Sequence, residues 1–304
     1  MFEKFNKIIY TENMNIYEET KMIMNKYGLN FKKKFGQNFL INETILDEMI
    51  EFANISKEDI VLEIGPGIGT LTSKLLEKAG EVISIEIDKE LLKPLEDRFF
   101  LYKNFTLISA DIMEIDLTKQ LNKILFDKNI DISKTKLKVV ANIPYYITTP
   151  IILKLLAEQK YISQIYIMVQ KEVAERLKPT SKGKEISSLT YYTQYFTEYL
   201  GEIEVSKSNF LPIPKVDSQI IGFEIRKEPY PKVDDEKIYF RIVKSAFLHR
   251  RKTFLNSLKL TGQFNIQIIK EILQELKIDE KIRPEKLTNI DYANICNMYI
   301  KRNK

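Results

Sequence analysis

Residues 59–70 read Asp-Ile-Val-Leu-Glu-Ile-Gly-Pro-Gly-Ile-Gly-Thr, an apolar run that stops at a cluster of glycines. Asp59 to Ile64 is short and apolar, as expected of a buried strand. Thr70 to Lys78 follows with Leu71, Leu75 and Leu76 on one face, the pattern of a helix. Between them, Gly65, Gly67 and Gly69 make a tight strand-to-helix turn where backbone can approach a ligand closely. Outward from this unit, residues 82–87, 105–109, 137–141 and 164–169 are further strands, and 203–207 with 219–225 form a final pair. Strands separated by helical segments predict an α/β fold, with a mostly parallel seven-stranded sheet, right-handed crossovers and helices on both faces. The last pair is too closely spaced for a crossover helix and contains Pro212 and Pro214, which predicts an antiparallel edge.

Past Pro229-Tyr230-Pro231 the periodicity becomes helical over 235–303, as in Ile238, Ile242, Ala246 and Ile268, Ile272, Leu276, with breaks at Gly262 and Pro284. The expected organisation is an N-terminal extension over 1–30 with room for one helix, an α/β domain over 31–230 and a small all-α domain over 231–304. The polar stretch 118–135 reads as an insertion before the fourth strand.

The glycine spacing bears on the ligand. A dinucleotide fingerprint needs its third glycine one residue later than Gly69. The Gly-x-Gly-x-Gly spacing with Pro66 inside it suits a ligand without phosphates, such as S-adenosylmethionine. Glu86 ends the second strand about 20 residues after Gly65, the spacing at which an acid receives ribose hydroxyls. Asp111 follows the third strand, where a carboxylate can accept from an adenine amino group. Each acid also suits a helix N-cap or an exposed surface. Polar groups at the ends of three successive strands behind a glycine loop are hard to obtain by chance.

The fourth strand ends in Asn142-Ile143-Pro144-Tyr145. An amide oxygen can accept from an exocyclic amine, proline has no N–H, and tyrosine offers a face on which a base can stack. Ligands of open α/β sheets bind beyond strand carboxyl ends. An Asn-x-Pro also punctuates turns, and taken alone the segment fits either role.

Composition narrows the classes. The 304 residues are 44% hydrophobic and 29% charged, an ordinary globular balance with enough apolar content for a sizeable core. No apolar run reaches the roughly 20 residues that span a bilayer, and residues 1–30 lack a signal-peptide core. A lone cysteine, Cys296, excludes an internal disulfide or a cysteine-based zinc cluster, and a single histidine, His249, argues against a His-rich metal site or triad. The expectation is a cytoplasmic protein without metal. The net charge is +5, and residues 234–304 carry 15 Lys and Arg against 9 Asp and Glu. Such a basic face suits a polyanion, or simply a solvated helical surface.

These motifs together resemble the ribosomal RNA adenine dimethyltransferase family. The resemblance runs from about residue 31 to 295. It includes Phe35-Gly36-Gln37-Asn38-Phe39-Leu40, Glu63 to Thr72, Asn142 to Tyr146 with Thr148-Thr149-Pro150, Phe210 to Ser218, and Arg250-Arg251-Lys252-Thr253 with Asn256. It implies a Rossmann-like class I methyltransferase fold that binds S-adenosylmethionine, with S-adenosylhomocysteine as product. The implied cofactor residues are Gln37, Asn38, Leu40, Gly65, Gly67, Glu86, Asp111 and Asn142. Asn142, Pro144, Tyr145 and Phe210 would hold the target base, with Phe210 stacking opposite Tyr145 and Tyr146 packing behind the site. Lys32, Lys33, Lys34, Arg250, Arg251 and Lys252 would contact RNA phosphates. The glycine loop, the Pro-Lys-Val-Asp-Ser run and the length favour the branch that dimethylates two adjacent adenosines near the 3′ end of small-subunit ribosomal RNA. Its expected partner is an immature 30S-type particle, and the enzyme is expected to act as a monomer. The alternatives are the macrolide-resistance branch acting on large-subunit RNA, a DNA adenine methyltransferase, and a non-catalytic RNA-binding assembly factor. The extension before the resemblance leaves Met14, Met22 and Met24 as alternative starts.

Overall fold

The computed structural model describes residues 14–30, 36–131, 136–180, 182–249 and 251–303. In chain order the elements are α1 (Ile16–Tyr27), β1 (Phe39–Leu40), α2 (Glu43–Phe52), β2 (Asp59–Ile64), α3 (Thr70–Lys78), β3 (Glu81–Glu86), α4 (Lys89–Phe99), β4 (Phe105–Ser109) and α5 (Leu117–Asp127). There follow β5 (Lys136–Asn142), α6 (Thr148–Ala157), β6 (Ile162–Gln170), α7 (Lys171–Leu177), α8 (Ser188–Phe196), β7 (Thr197–Val205), β8 (Phe210–Leu211) and β9 (Ser218–Ile225). The chain ends with α9 (Glu236–Phe247), α10 (Phe254–Thr261), α11 (Ile266–Glu275) and α12 (Asn289–Arg302).

The seven-stranded sheet has the order β4-β3-β2-β5-β6-β9-β7. The first five of these strands pair in parallel. β9 runs antiparallel to β6, so the expected antiparallel edge is present. β2 and β3 are buried at every position, as strands covered on both faces must be. The strand order reverses at β2, where one neighbour is the next strand and the other is β5. Such a switch point opens a crevice at the strand carboxyl ends.

Two readings of the sequence change here. The stretch read as an insertion at 118–135 contains α5, a crossover helix of the fold. Its leucines at 117, 121 and 125 are buried, and the Asp116 side chain caps it by accepting from Lys119 N–H. Residues 132–135 lie outside the described set. The run 137–141 is also not wholly apolar in role. Lys138 is 5% exposed, and its Nζ lies 3.1 Å from Asp59 Oδ2 and within 3.0 Å of the carbonyls of Ala53 and Asn54.

The chain divides into two compact units, Met1–Ala174 with Leu200–Ile225, and Glu175–Tyr199 with Arg226–Lys304. A single cut near residue 230 does not reproduce them, because α8 belongs with the C-terminal helices. The cause is aromatic packing. The Tyr195 ring stacks on Tyr239 at 5.0 Å, and Tyr191 meets Tyr292 edge-on at 4.8 Å while its hydroxyl donates to Leu287 C=O. Within this unit Gly262 ends α10 with φ 64°, a left-handed cap that glycine adopts without strain. Cys296 is buried, and burial pushes its thiol up to about 12, so it is a packing residue.

Lys138→Met keeps the buried stem but leaves Asp59 and two carbonyls without their cation. It should lower stability by about 3–5 kcal/mol, the usual cost of breaking a buried pair from one side. Denaturant unfolding measures this, and a loss under ~1 kcal/mol would show that the pair is readily replaced.

Candidate active site

The glycine loop is held from three directions. Gly65 N–H donates to Ile85 C=O at 2.9 Å, which extends the β2–β3 ladder by one rung. Gly67 N–H donates to Glu86 Oε2 at 3.2 Å. The Phe39 ring packs on Gly67 so closely that a Cβ there would lie 2.9 Å from the ring. All three glycines have positive φ, 70°, 62° and 88°, so both conformation and contact select glycine.

Phe39 arrives through a pairing that joins two distant motifs. β1 and β8 form a two-stranded antiparallel sheet in which Phe39 faces Leu211 and Leu40 faces Phe210. Just before it, Asn38 donates to Gly36 C=O at 2.9 Å and Gln37 to Asp88 Oδ2 at 2.9 Å. Residues 31–35, including Lys32, Lys33, Lys34 and Phe35, lie outside the described set.

These elements line a cleft that opens at the strand carboxyl ends. Gln37, Asn38 and Leu40 line it from the N-terminal segment, and Gly65 and Gly67 from the loop. Glu86 and Asp111 line it from the ends of β3 and β4, and Asn142, Pro144 and Tyr145 from the end of β5. The geometry thus gathers these ten sequence-predicted residues.

Phe210 is the exception. It is 1% exposed within the core cluster and does not line the cleft. Its ring is not available in this conformation as a platform for a base. Tyr146, expected to pack behind the site, is instead 58% exposed and lines the cleft. Burial, then the charges of Asp111 and Glu86, raises its hydroxyl pKa.

Asn142 Nδ2 donates to Asn38 C=O at 3.2 Å, which fixes the amide and leaves Oδ1 as its acceptor. Pro144 C=O is already engaged by Ile147 N–H and Thr148 Oγ1, both at 3.2 Å. The Ile143 carbonyl, by contrast, has no donor among the described residues, and Ile143 also lines the cleft. The Tyr145 hydroxyl pairs with Ser218 Oγ at 2.7 Å, which braces its ring from β9. Burial raises the Tyr145 pKa, so the hydroxyl stays neutral.

Glu63, at the start of the glycine motif, is a cleft residue that the motif alone does not single out. It is wholly buried, lines the cleft, and accepts from Thr72 Oγ1 and Ser84 Oγ, both at 2.7 Å, through Oε2. Its Oε1 has no partner among the described residues. Burial pushes its carboxyl up to about 7, against the two hydroxyl bonds and with help from Glu86. Burial likewise lifts Glu86 to about 7, opposed by the N–H groups of Asp88 and Gly67. A charged residue within the apolar run that ends β2, Ile60 to Ile64, is the available signal.

The residues fit S-adenosylmethionine on these observations. A Cβ on Gly65 would meet only Pro144 at 3.9 Å, so the backbone presents open space. Carboxylates and an orphaned buried oxygen call for hydrogen-bond donors, as ribose hydroxyls and amino groups are. Asp111 Oδ1 caps Met113 N–H at 2.8 Å, so the turn-capping role and a place in the cleft coexist.

In the second unit, Arg251 and Lys252 are exposed in the turn before α10, where Lys252 N–H donates to His249 C=O; Arg250 lies outside the described set.

The raised Glu63 pKa fixes a sign. The folded form keeps its proton up to about 7, whereas the unfolded chain loses it near 4.5, so the contribution of Glu63 to stability is fully present below 4.5 and is lost as pH rises through about 7. Glu63→Gln should therefore melt close to wild type at pH 4.5 and clearly above it at pH 8. Thermal melts of the ligand-free protein across this range test this, and parallel curves would contradict a desolvated acid.

A sequence model described as ribosomal RNA adenine dimethylase matches residues 28–301. The chain is 43% identical over 276 residues to a ribosomal RNA small subunit methyltransferase A of Clostridium botulinum (strain Kyoto / Type A2), covering 91% of this chain and 96% of that one. Its fold matches a crystal structure of a dimethyladenosine transferase from Plasmodium falciparum with TM-score 0.69 at 28% identity, covering 86% of this chain and 97% of that one. It also matches the fold of the 23S rRNA methyltransferase ErmE with TM-score 0.62 at 24% identity, covering 86% of this chain and 99% of that one. By sequence over most of its length and by its fold, the chain belongs to the ribosomal RNA adenine dimethylase family.

Proposed function

We infer that the protein transfers methyl groups to N6 of two adjacent adenosines near the 3′ end of small-subunit ribosomal RNA, giving N6-dimethyladenosines during assembly. The observation that carries the chemistry is the acceptor pair at the end of β5, the Asn142 Oδ1 and the Ile143 carbonyl. When bound, S-adenosylmethionine supplies an electrophilic sulfonium methyl. Glu86 would hold its ribose, Asp111 its adenine, and Asn38 and the glycine loop its remainder.

The chain's own contribution is positioning. The N6 lone pair is delocalised into the adenine ring, so N6 is a weak nucleophile. Two acceptors that bind its hydrogens orient the nitrogen and favour the positive charge that develops there as it attacks. No cleft base has to remove a proton first if the proton leaves after attack. Tyr145, braced by Ser218, offers the ring for a base turned out of its stack, and the exposed Tyr146 lies at the same mouth. Turning out an unpaired base costs least, which favours a loop.

The small-subunit target is favoured by the Clostridium relative, whose name states that subunit. In this reading the protein works in the cytoplasm as a monomer on an immature 30S-type particle. Among the described residues, no helix is long and apolar enough to cross a membrane. Lys32, Lys33, Lys34, Arg250, Arg251 and Lys252 would meet phosphates, which position an RNA without reading its sequence.

Methyl transfer from labelled cofactor to immature small subunits, mature small subunits and naked large-subunit RNA tests the target. Label in dimethyladenosine of immature small subunits is expected, and label in large-subunit RNA alone would overturn the assignment. Asn142→Ala should lower turnover at least ~100-fold, the scale of losing a transition-state contact, while RNA binding persists. Near-normal turnover would remove Asn142 from the acceptor role. Replacing Arg251 and Lys252 by Ala should weaken RNA binding and reduce its logarithmic salt slope by about two. An unchanged slope would make them ordinary surface residues.

A further inference from the structure

Helix α1 lies before residue 28, where the family match begins, and the functional reading leaves it unused. It is a well-formed helix. Asn15 and Glu18 make a reciprocal capping box, and Gly28 closes the C-terminus with φ 63°. Thr20 and Ile23 are buried, and Ile16, Met24 and Tyr27 pack against the core of the first unit.

Two of its side chains engage the end of α4. The Tyr27 hydroxyl donates to Asp97 Oδ2 at 3.0 Å. Glu19 Oε1 lies 2.7 Å from Arg98 Nη2, and these side chains are only 15% and 7% exposed. The other arm of the guanidinium, Nη1, donates to Ile68 C=O at 2.9 Å. Ile68 is the residue between Gly67 and Gly69. Next along α4, the Phe99 ring abuts Gly69 so tightly that a Cβ there would lie 2.5 Å from it.

We propose that α1 is a positioning element for the cofactor loop, acting through the chain Glu19–Arg98–Ile68. The physical need is specific. Glycines impose little conformational preference of their own, so the order of a Gly-x-Gly-x-Gly turn must come from neighbours. Phe39 supplies it at Gly67 and Phe99 at Gly69, while Arg98 grips the carbonyl between them. A guanidinium this enclosed needs a counter-charge, and Glu19 supplies one. Removing Glu19 takes that carboxylate from the guanidinium and weakens its hold on the Ile68 carbonyl. The loop then samples conformations in which its backbone does not meet the ligand. The effect falls on cofactor affinity and not on the methyl-transfer step, whose acceptors sit on β5.

This inference rests on the reading that the loop binds S-adenosylmethionine, so its test begins with binding. Titration calorimetry with S-adenosylhomocysteine on the full chain is expected to give an affinity about ten-fold weaker for Glu19→Ala, corresponding to roughly 1.4 kcal/mol. In methyl-transfer assays the KM for S-adenosylmethionine should rise in step, with kcat and the KM for RNA within about two-fold of wild type, as loss of a ground-state interaction requires. Arg98→Ala should weaken binding at least as much, and adding Glu19→Ala to it should change affinity no further. Glu19→Gln, which keeps an acceptor oxygen at the same length, should recover part of the loss. Lys21→Ala, on an exposed position of the same helix, should leave affinity unchanged. Unaltered affinity in a folded Glu19→Ala protein, or additive losses in the double variant, would overturn the relay. Wild-type protein that binds no S-adenosylhomocysteine would overturn the cofactor reading and the relay together. Ordinary binding without RNA methylation would sink only the substrate assignment.

Discussion

The hydrogen bond from Gly65 N–H to Ile85 C=O is the last rung of the parallel ladder between β2 and β3, and the site depends on that ladder. β2 is flanked by β3 and β5, all parallel, with Ile64 opposite Ile85 and Leu62 opposite Val139. Parallel registration brings three carboxyl ends to one edge, so Gly65, Glu86 and Asn142 converge from separate parts of the chain. Strands buried on both faces have little alternation to fix their register. Here two polar links do so, one on each side of β2. Asp59 reaches Lys138 on β5, and Glu63 reaches Ser84 on β3. A one-residue slip would turn either partner to the opposite face and leave a buried polar group alone, which is far costlier than misplacing a methyl.

Much of this frame could be read from the residues, for a physical reason. Asp59–Ile64 and Thr70–Lys78 have the observed limits because glycines and a sharp change of periodicity bound them. The cleft residues on the loop and at the ends of β3, β4 and β5 were legible because strand ends are where open sheets place ligands. What was hidden depends on tertiary context. Leu117, Leu121 and Leu125 recur every fourth residue, yet the lysines and polar residues among them masked one narrow buried stripe. Lys138 falls inside a run read simply as apolar, and its burial follows only from Asp59 and two carbonyls meeting it. Phe210 sits in a motif that suggests a stacking ring, but its ring is buried in the core, which depends on segments far apart in sequence packing together. Pro144 was legible as a cleft residue, but not that its carbonyl would already be spent on the next turn.

The cleft is unusual in what it offers a ligand. The side chains and backbone groups assigned to it are mainly acceptors: Glu63, Glu86 and Asp111, the Asn142 amide oxygen and the Ile143 carbonyl. Burial raises two of these acids to about 7, which means that the empty cleft charges them at a cost. A ligand rich in donors relieves that cost, whereas an anionic phosphate would add to it. Ribose hydroxyls and exocyclic amines are such donors. The same electrostatic condition would suit both a nucleoside cofactor that lacks phosphates and an adenine amine, the two ligands proposed for this cleft.

That condition also explains why the loop needs outside support. In a phosphate-binding turn, the ligand's charge attracts the backbone N–H groups and orders them on binding. Here Gly67 N–H is instead committed to Glu86, and the remaining constraints are the rings of Phe39 and Phe99 and the Arg98 guanidinium. A loop that cannot draw its order from a phosphate must be ordered before the ligand arrives. Preorganisation of this kind lowers the entropy cost of binding, and its parts come from β1, α4 and α1, elements that contribute little or nothing to the methyl-transfer chemistry itself.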